Sequence, residues 1–190
     1  MAMRIIAGTR RAMKLLSPKT DDSRPITDRI KESLFNVLYN YDLPDGKIVA
    51  DLFSGVGSLG LEALSRGAQF VAFVEKNPKI IVILEKNIIK AGFVKNSKVV
   101  RANAFKIGAP VYKHKYDLVF VDPPYARTKQ TGEGSLLAGL LSLLPQQLAS
   151  DGIVVVRTEK HVELLPQYSR LEVIERRNWG SMAVTILTKK

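Results

Sequence analysis

The stretch DLFSGVGSLGLEALSRGA (51–68) decides the fold. It opens at the end of an apolar run, KIVADLF (47–53), that reads as a strand. It closes at Gly67, after apolar residues recurring at helical spacing from Ser58 to Arg66. Between them GVGSLG (55–60) has the spacing G-x-G-x-x-G. Strand, glycine turn and helix in this order let backbone approach a bound ligand closely. Glu75, twenty residues beyond Gly55 at the end of the next run, FVAFVE (70–75), can accept hydrogen bonds from ribose hydroxyls. Taken alone, the loop fits either a dinucleotide or S-adenosylmethionine, since both carry an adenosine.

Outward from this unit the alternation continues. Further strands are expected over SKVVRAN (97–103), YDLVFVD (116–122) and GIVVVRTE (152–159). Helices are expected over PITDRIKESLFNVLYN, capped by Thr27 or Asp28, over Pro78–Ala91, closed by Gly92, and across LLAGLLSLLPQQLAS. Strands apolar on both faces and alternating with helices indicate an α/β fold, a parallel sheet covered on two sides. The end breaks the pattern. LEVIERRNW and SMAVTILTK meet at a tight Trp-Gly-Ser turn with no room for a helix, which predicts an antiparallel hairpin appended to the sheet. No repeat and no second domain is apparent, so residues 1–190 read as one domain, 1–23 forming a basic arm or hairpin and 24–190 the core.

Composition narrows the partners. A net charge of +11 points to a polyanion, and through Lys19 the chain carries Arg4, Arg10, Arg11, Lys14 and Lys19 without one acid. There is no cysteine, which excludes disulfides and thiolate metal sites. Apolar runs such as IVVV are too short for a bilayer, and the expectation is a soluble cytoplasmic protein. His114 and His161 lack partners at ligand spacing and are assigned to neither metal nor catalysis.

Three features favour S-adenosylmethionine over a dinucleotide. Asp51, four residues before Gly55, can reach a ligand's ammonium group, which NAD lacks. The hairpin ending is the second feature. The third is DPPY (122–125), at the end of YDLVFV, for which hydride transfer has no evident use. An exocyclic amino group on a nucleobase is a poor nucleophile because its lone pair is delocalised into the ring. Its methylation calls for acceptors that hold the N–H bonds and aim the lone pair. Asp122 and the carbonyl of Pro123 suit that task. Pro123 and Pro124 stiffen the backbone, and Tyr125 can stack on an extruded base. After the third strand, Asn103, Ala104 and Phe105 can meet an adenine ring, although Phe105 fits the core equally well.

Together RIIAGTRRAMKL (4–15), RPITDRIKESLFNVL (24–38), DLFSGVGSLGLEALSRGA (51–68) and FVDPPY (120–125) resemble the bacterial 16S ribosomal RNA guanine-N2 methyltransferases of the small-subunit methyltransferase D type. The resemblance runs along nearly the whole chain and is most specific in RPITDR and ESLFNVL. It implies a Rossmann-like class I fold with a seven-stranded, mostly parallel sheet and a small N-terminal extension. It also implies S-adenosylmethionine as donor and a guanine of 16S RNA as acceptor, in a 30S particle, with a monomeric enzyme that needs no metal. By position it assigns Asp51, Phe53, Ser54, Gly55 and Gly57 to the methionine side of the cofactor, Glu75 with Lys76 to the ribose, and Asn103, Ala104 and Phe105 to the adenine. Arg24, Thr27 and Arg29 would line the mouth, while Arg4, Arg10, Arg11 and Lys14 would contact RNA. An ion pair of Arg29 with Asp28 or Glu32 is the alternative for that side chain. The family usually has glycine where this chain has Ala7 and Ala12, and tyrosine at Trp179.

Rival readings are a DNA or RNA adenine-N6 methyltransferase, a protein-glutamine methyltransferase, a non-catalytic RNA-binding protein of the same fold and an NAD-linked oxidoreductase. Only about 56 residues separate Gly67 from Asp122, which leaves no space for a DNA target-recognition domain. Asp122 stands where glutamine methyltransferases usually carry asparagine. The loop ARTKQTGEGS after DPPY is either a lid or a connection.

Overall fold

The computed structural model describes residues 3–18 and 26–190. Eight strands form one sheet: β1 (Ile48–Leu52), β2 (Phe70–Glu75), β3 (Ser97–Arg101), β4 (Tyr116–Val121), β5 (Leu148–Glu159), β6 (Gln167–Tyr168), β7 (Leu171–Trp179) and β8 (Met182–Lys189). Their order across the sheet is β3-β2-β1-β4-β5-β8-β7-β6. The first five are parallel, and β8 enters antiparallel to β5, paired in turn with β7.

Five helices accompany them: α1 (Asp28–Tyr39), α2 (Ser58–Ser65), α3 (Pro78–Ala91), α4 (Ala104–Ile107) and α5 (Leu136–Leu143). Side chains alternate along each central strand, so two apolar layers form. Val49, Leu118 and Phe120 face Leu34, Phe35 and Leu38 of α1 and the buried leucines of α2. Ala50, Leu52, Val119 and Val121 face Leu137, Leu140 and Leu141 of α5. The central strands β1 and β4 are therefore apolar on both faces, as their run-like sequence demanded.

The sheet corrects one expectation, since it has eight strands rather than seven. The extra strand, β6, is two residues long and pairs with Glu172 and Leu171 of β7. The Tyr168 hydroxyl secures it, donating to Thr131 O and accepting from Leu165 N, both at 2.9 Å. Two residues carry no periodicity to read. The helix expected across LLAGLLSLLPQQLAS is also shorter; α5 stops at Leu143, and Pro145 lies in a 3-10 turn that follows.

The N-terminal segment is a short hairpin. Arg4 and Lys14 pair antiparallel, and Ile5 N donates to Met13 O at 2.9 Å. Ala12, where the family resemblance leads one to expect glycine, takes a left-handed φ of 68°. The hairpin rests on a buried charge. Glu62 of α2 accepts from Ile6 N (2.8 Å), Ala7 N (3.0 Å) and Arg66 Nε (2.8 Å), and it pairs with Lys31 Nζ at 3.4 Å. Lys31 in turn donates to Arg4 O at 2.6 Å. Burial pushes the Lys31 ammonium below its ordinary pKa, with Glu62 opposing that shift.

The chain runs from β1 outward to β3 on one side, then returns to β4 on the other side of β1. The carboxyl ends of β1 and β4 thus flank the switch point, where open α/β sheets bind ligands.

Candidate active site

Each strand end at the switch point brings one carboxylate: Asp51 from β1, Glu75 from β2, and Asp122 directly after β4. Asp51 is buried, and its Oδ2 accepts from Gly60 N at 2.8 Å. That bond has a local cause. The N-cap of α2 is Gly57, which has no side chain to satisfy the first-turn amides, so the strand below supplies the acceptor. Burial pushes the Asp51 carboxyl up to about 7, and the negative charges of Asp122 and Glu75 add to the rise while the Gly60 amide opposes it.

Glu75 ties the loop to the next helix. Its Oε2 accepts from Gly55 N at 3.1 Å, and its Oε1 accepts from Lys76 N and Asn77 N, each at 2.8 Å. Two of the loop glycines serve packing. A Cβ on Gly57 (φ 90°) would come within 2.6 Å of Leu84, and one on Gly60 within 2.3 Å of the Phe73 ring. Gly55 differs, for a Cβ there meets nothing within 4 Å. Its face is open to a ligand.

Phe53, at a left-handed φ of 62°, turns its ring onto Phe105, with centroids 4.7 Å apart. Asn103 Oδ1 caps α4 by accepting from Phe105 N at 3.1 Å, which leaves the amide nitrogen for another partner. Ser54 and Ala104 are buried, and Lys76 is exposed.

At DPPY the structure adds a residue that sequence reasoning missed. Val121 pairs with Val156, so Asp122 lies beside Arg157 of β5. Arg157 Nε donates to Asp122 Oδ1 at 2.5 Å, and the guanidinium carbon stands 5.7 Å from the centre of the Tyr125 ring. Burial raises the Asp122 pKa, and the neighbouring guanidinium opposes the rise. The sequence signal was a single cation in the apolar run GIVVVRTE.

The basic residues sort by what they touch. Arg4 pairs with Asp28 at 2.6 Å, so Asp28 is engaged there rather than with Arg29. Arg29 is exposed, as are Arg11 and Lys14. Arg10 donates through Nε to Ala91 O at 2.6 Å, at the C-terminus of α3, and lies over the Phe93 ring. Thr27 caps α1, its Oγ1 accepting from Ile30 N at 3.4 Å. Arg24 and Lys19 lie outside the described residues. Among the described residues no group of three or more His, Asp or Glu is arranged to hold a metal, and no helix is long and apolar enough to cross a membrane.

A glycine loop and a Pro-Pro-Tyr turn at adjacent strand ends, on a sheet of this order, define a Rossmann-like methyltransferase of the S-adenosylmethionine-dependent class. The family model described as "Conserved hypothetical protein 95" matches residues 3–188. The chain belongs to that family, together with the small-subunit ribosomal RNA methyltransferase D proteins. The chain is 37% identical over 165 residues to ribosomal RNA small subunit methyltransferase D of Escherichia coli, covering 83% of this chain and 75% of the relative. The protein of the same name from Haemophilus influenzae is 34% identical over 167 residues, 86% and 82% of the two chains. A solved Escherichia coli structure under the methyltransferase name yhhF superposes with a TM-score of 0.81 at 30% identity, covering 100% of this chain and 99% of that one.

The donor set fits this cofactor. Asp51 and Glu75 hold amides of the glycine loop and Asp122 is near enough to act on Asp51, a set of carboxylates that favours a ligand carrying sulfonium and ammonium charges over one carrying a pyrophosphate.

Proposed function

We propose that this protein methylates the exocyclic N2 amino group of a guanine in 16S ribosomal RNA, with the 30S particle as substrate. One observation carries the reading: the Asp122 carboxylate stands at the switch point, on a turn stiffened by two prolines and near enough to Asp51 for its charge to raise the Asp51 pKa. The names of the relatives support an RNA of the small subunit, and the +11 charge suits a polyanion.

S-adenosylmethionine held by Asp51, Glu75 and the backbone around Gly55 supplies the electrophilic methyl group. The remaining work falls to the chain. Asp122 Oδ2 and the Pro123 carbonyl accept the two amino hydrogens and turn the nitrogen lone pair toward the methyl donor. Asp122 or water takes the proton as the new N–C bond forms. Tyr125 stacks on the extruded base, its opposite face backed by Arg157. Arg11, Lys14 and Arg29 are free to meet phosphates, while Arg10 is held at the end of α3.

The test is transfer of labelled methyl to 30S particles from cells lacking the enzyme, against naked 16S RNA and duplex DNA, followed by nucleoside analysis. N2-methylguanosine in the particle RNA is expected. Labelled N6-methyladenosine in DNA would overturn the reading.

Cofactor binding should depend on pH. The Asp51 carboxyl keeps its proton below about pH 7, and a ligand ammonium prefers the ionised form. Calorimetry should show affinity rising with pH toward 7, by up to about tenfold per unit. Asp51→Asn should flatten that dependence. In the ligand-free protein the sign is opposite. From roughly pH 4 up to about 7 the unfolded chain has lost a proton that the folded carboxyl keeps, so this group's contribution to stability falls as pH rises.

A further inference from the structure

At the open end of the N-terminal hairpin, each strand is held by a buried polar side chain that also holds the glycine loop. Asn87 of α3 is fully buried, and its amide is divided between the two segments. Its Oδ1 accepts from Leu16 N at 2.8 Å, while Nδ2 donates to Leu16 O and to Val56 O, each at 3.0 Å. Lys31 of α1 does the same for the other strand. Its Nζ donates to Arg4 O at 2.6 Å and to Ser58 Oγ at 3.2 Å.

Val56 and Ser58 flank Gly57, whose N–H closes a turn on Ser54 O at 2.8 Å. That turn carries the open face of Gly55. Packing joins the same parts. Leu84, one turn before Asn87 on α3, lies within 2.6 Å of where a Cβ on Gly57 would stand. At the far end of α2, a Cβ on Gly8 of the hairpin would come within 1.7 Å of Ser65 O. A buried amide or ammonium has no water to replace a lost partner, so hairpin and loop resist moving apart.

We propose that Asn87 and Lys31 are positioning residues through which RNA held by the hairpin and cofactor held by the glycine loop strengthen each other's binding. The proposal rests on the reading of the hairpin as an RNA-facing surface and adds a coupling between the two ligands. Phosphates seated on the exposed Arg11 and Lys14 restrain the hairpin. Asn87 and Lys31 pass that restraint to Val56 and Ser58, so the loop has less freedom left to lose when the cofactor arrives. By linkage the cofactor helps the RNA by the same factor.

The test measures binding of 30S particles lacking the modification, by filter retention, with and without saturating S-adenosylhomocysteine. This product transfers no methyl, so the particle stays unmodified. Wild type is expected to bind the particles more tightly in its presence, by about fivefold or more. Asn87→Ala and Ser58→Ala each cut one link and should reduce that factor, the first to about twofold or less. Thermal unfolding identifies the folded variants. Ser58→Ala leaves Lys31 its contacts with Arg4 O and Glu62 and introduces a good helix former, which keeps a variant in hand should Asn87→Ala not fold. Hydrogen exchange follows the link without RNA. S-adenosylhomocysteine alone should slow exchange of the Leu16 amide in wild type and not in Asn87→Ala.

Equal particle affinities with and without S-adenosylhomocysteine in wild type would overturn the proposal. So would a factor undiminished in the folded variants, because a side chain that only supports the fold lowers both affinities without changing their ratio. A Leu16 amide that does not respond to S-adenosylhomocysteine in wild type would overturn it as well. All three outcomes leave the functional reading standing as long as wild type methylates the particles. Should wild type transfer no methyl to them, the functional reading falls, and this proposal with it.

Discussion

Asp122→Asn will lower methyl transfer by about a thousandfold or more while the protein stays folded. Asparagine keeps the shape and one acceptor oxygen for Arg157 Nε, so the ion pair becomes an ordinary hydrogen bond. It removes the charge that polarises the amino group and the base that takes its proton, contributions that each amount to about a hundredfold or more. Asp122→Ala is the less informative variant. In the sequence, an acid at the end of a strand looks dispensable to folding. In the structure its removal leaves the Arg157 guanidinium without its counter-ion, at 12% side-chain exposure. That costs about 3 kcal/mol and mixes loss of fold with loss of chemistry. Labelled methyl transfer, read beside denaturant unfolding, separates the two. Turnover near the wild-type value in Asp122→Asn would remove Asp122 from the reaction.

The second large effect is on stability. Glu62→Ala will cost about 4 kcal/mol or more, a large share of the stability of a domain this size. Glu62 is fully buried and takes hydrogen bonds from two backbone amides and one guanidinium, with the Lys31 ammonium at 3.4 Å. Alanine strands all four, and the buried Lys31 ammonium loses its nearest counter-charge. Urea unfolding should show the midpoint shift, and hydrogen exchange should show the Ile6 and Ala7 amides losing protection. Unchanged exchange at those two amides would mean that the hairpin holds without Glu62.

The two strand ends that carry the site were legible because their signals are short-range. DLFSG and DPPY each announce a buried strand, a break and a polar group within a few residues. The positions of α3 and of the β7–β8 hairpin were legible for the same reason. Arg157 was not, because its meaning depends on register: it faces Asp122 only once Val121 pairs with Val156. Glu62 was equally hidden. Its spacing places it on α2, but its four partners come from residues 6, 7, 31 and 66, three of them distant in sequence. Arg10 shows the reverse error of scale. Composition marks it as part of a basic arm, while the fold seats it at a helix end.

The hairpin's bonds have a consequence for synthesis on the ribosome. Ile6 and Ala7 bond Glu62, 56 and 55 residues downstream, Arg10 bonds Ser65 and Ala91, 55 and 81 downstream, and Leu16 bonds Asn87, 71 downstream. The bonds to Glu62 and Ser65 wait for α2, and those to Asn87 and Ala91 cannot close until α3 has left the exit tunnel. A segment that emerges before α2 and α3 is therefore among the last to settle, and for that interval a stretch bearing Arg4, Arg10, Arg11 and Lys14 trails beside the RNA of the machine that is making it.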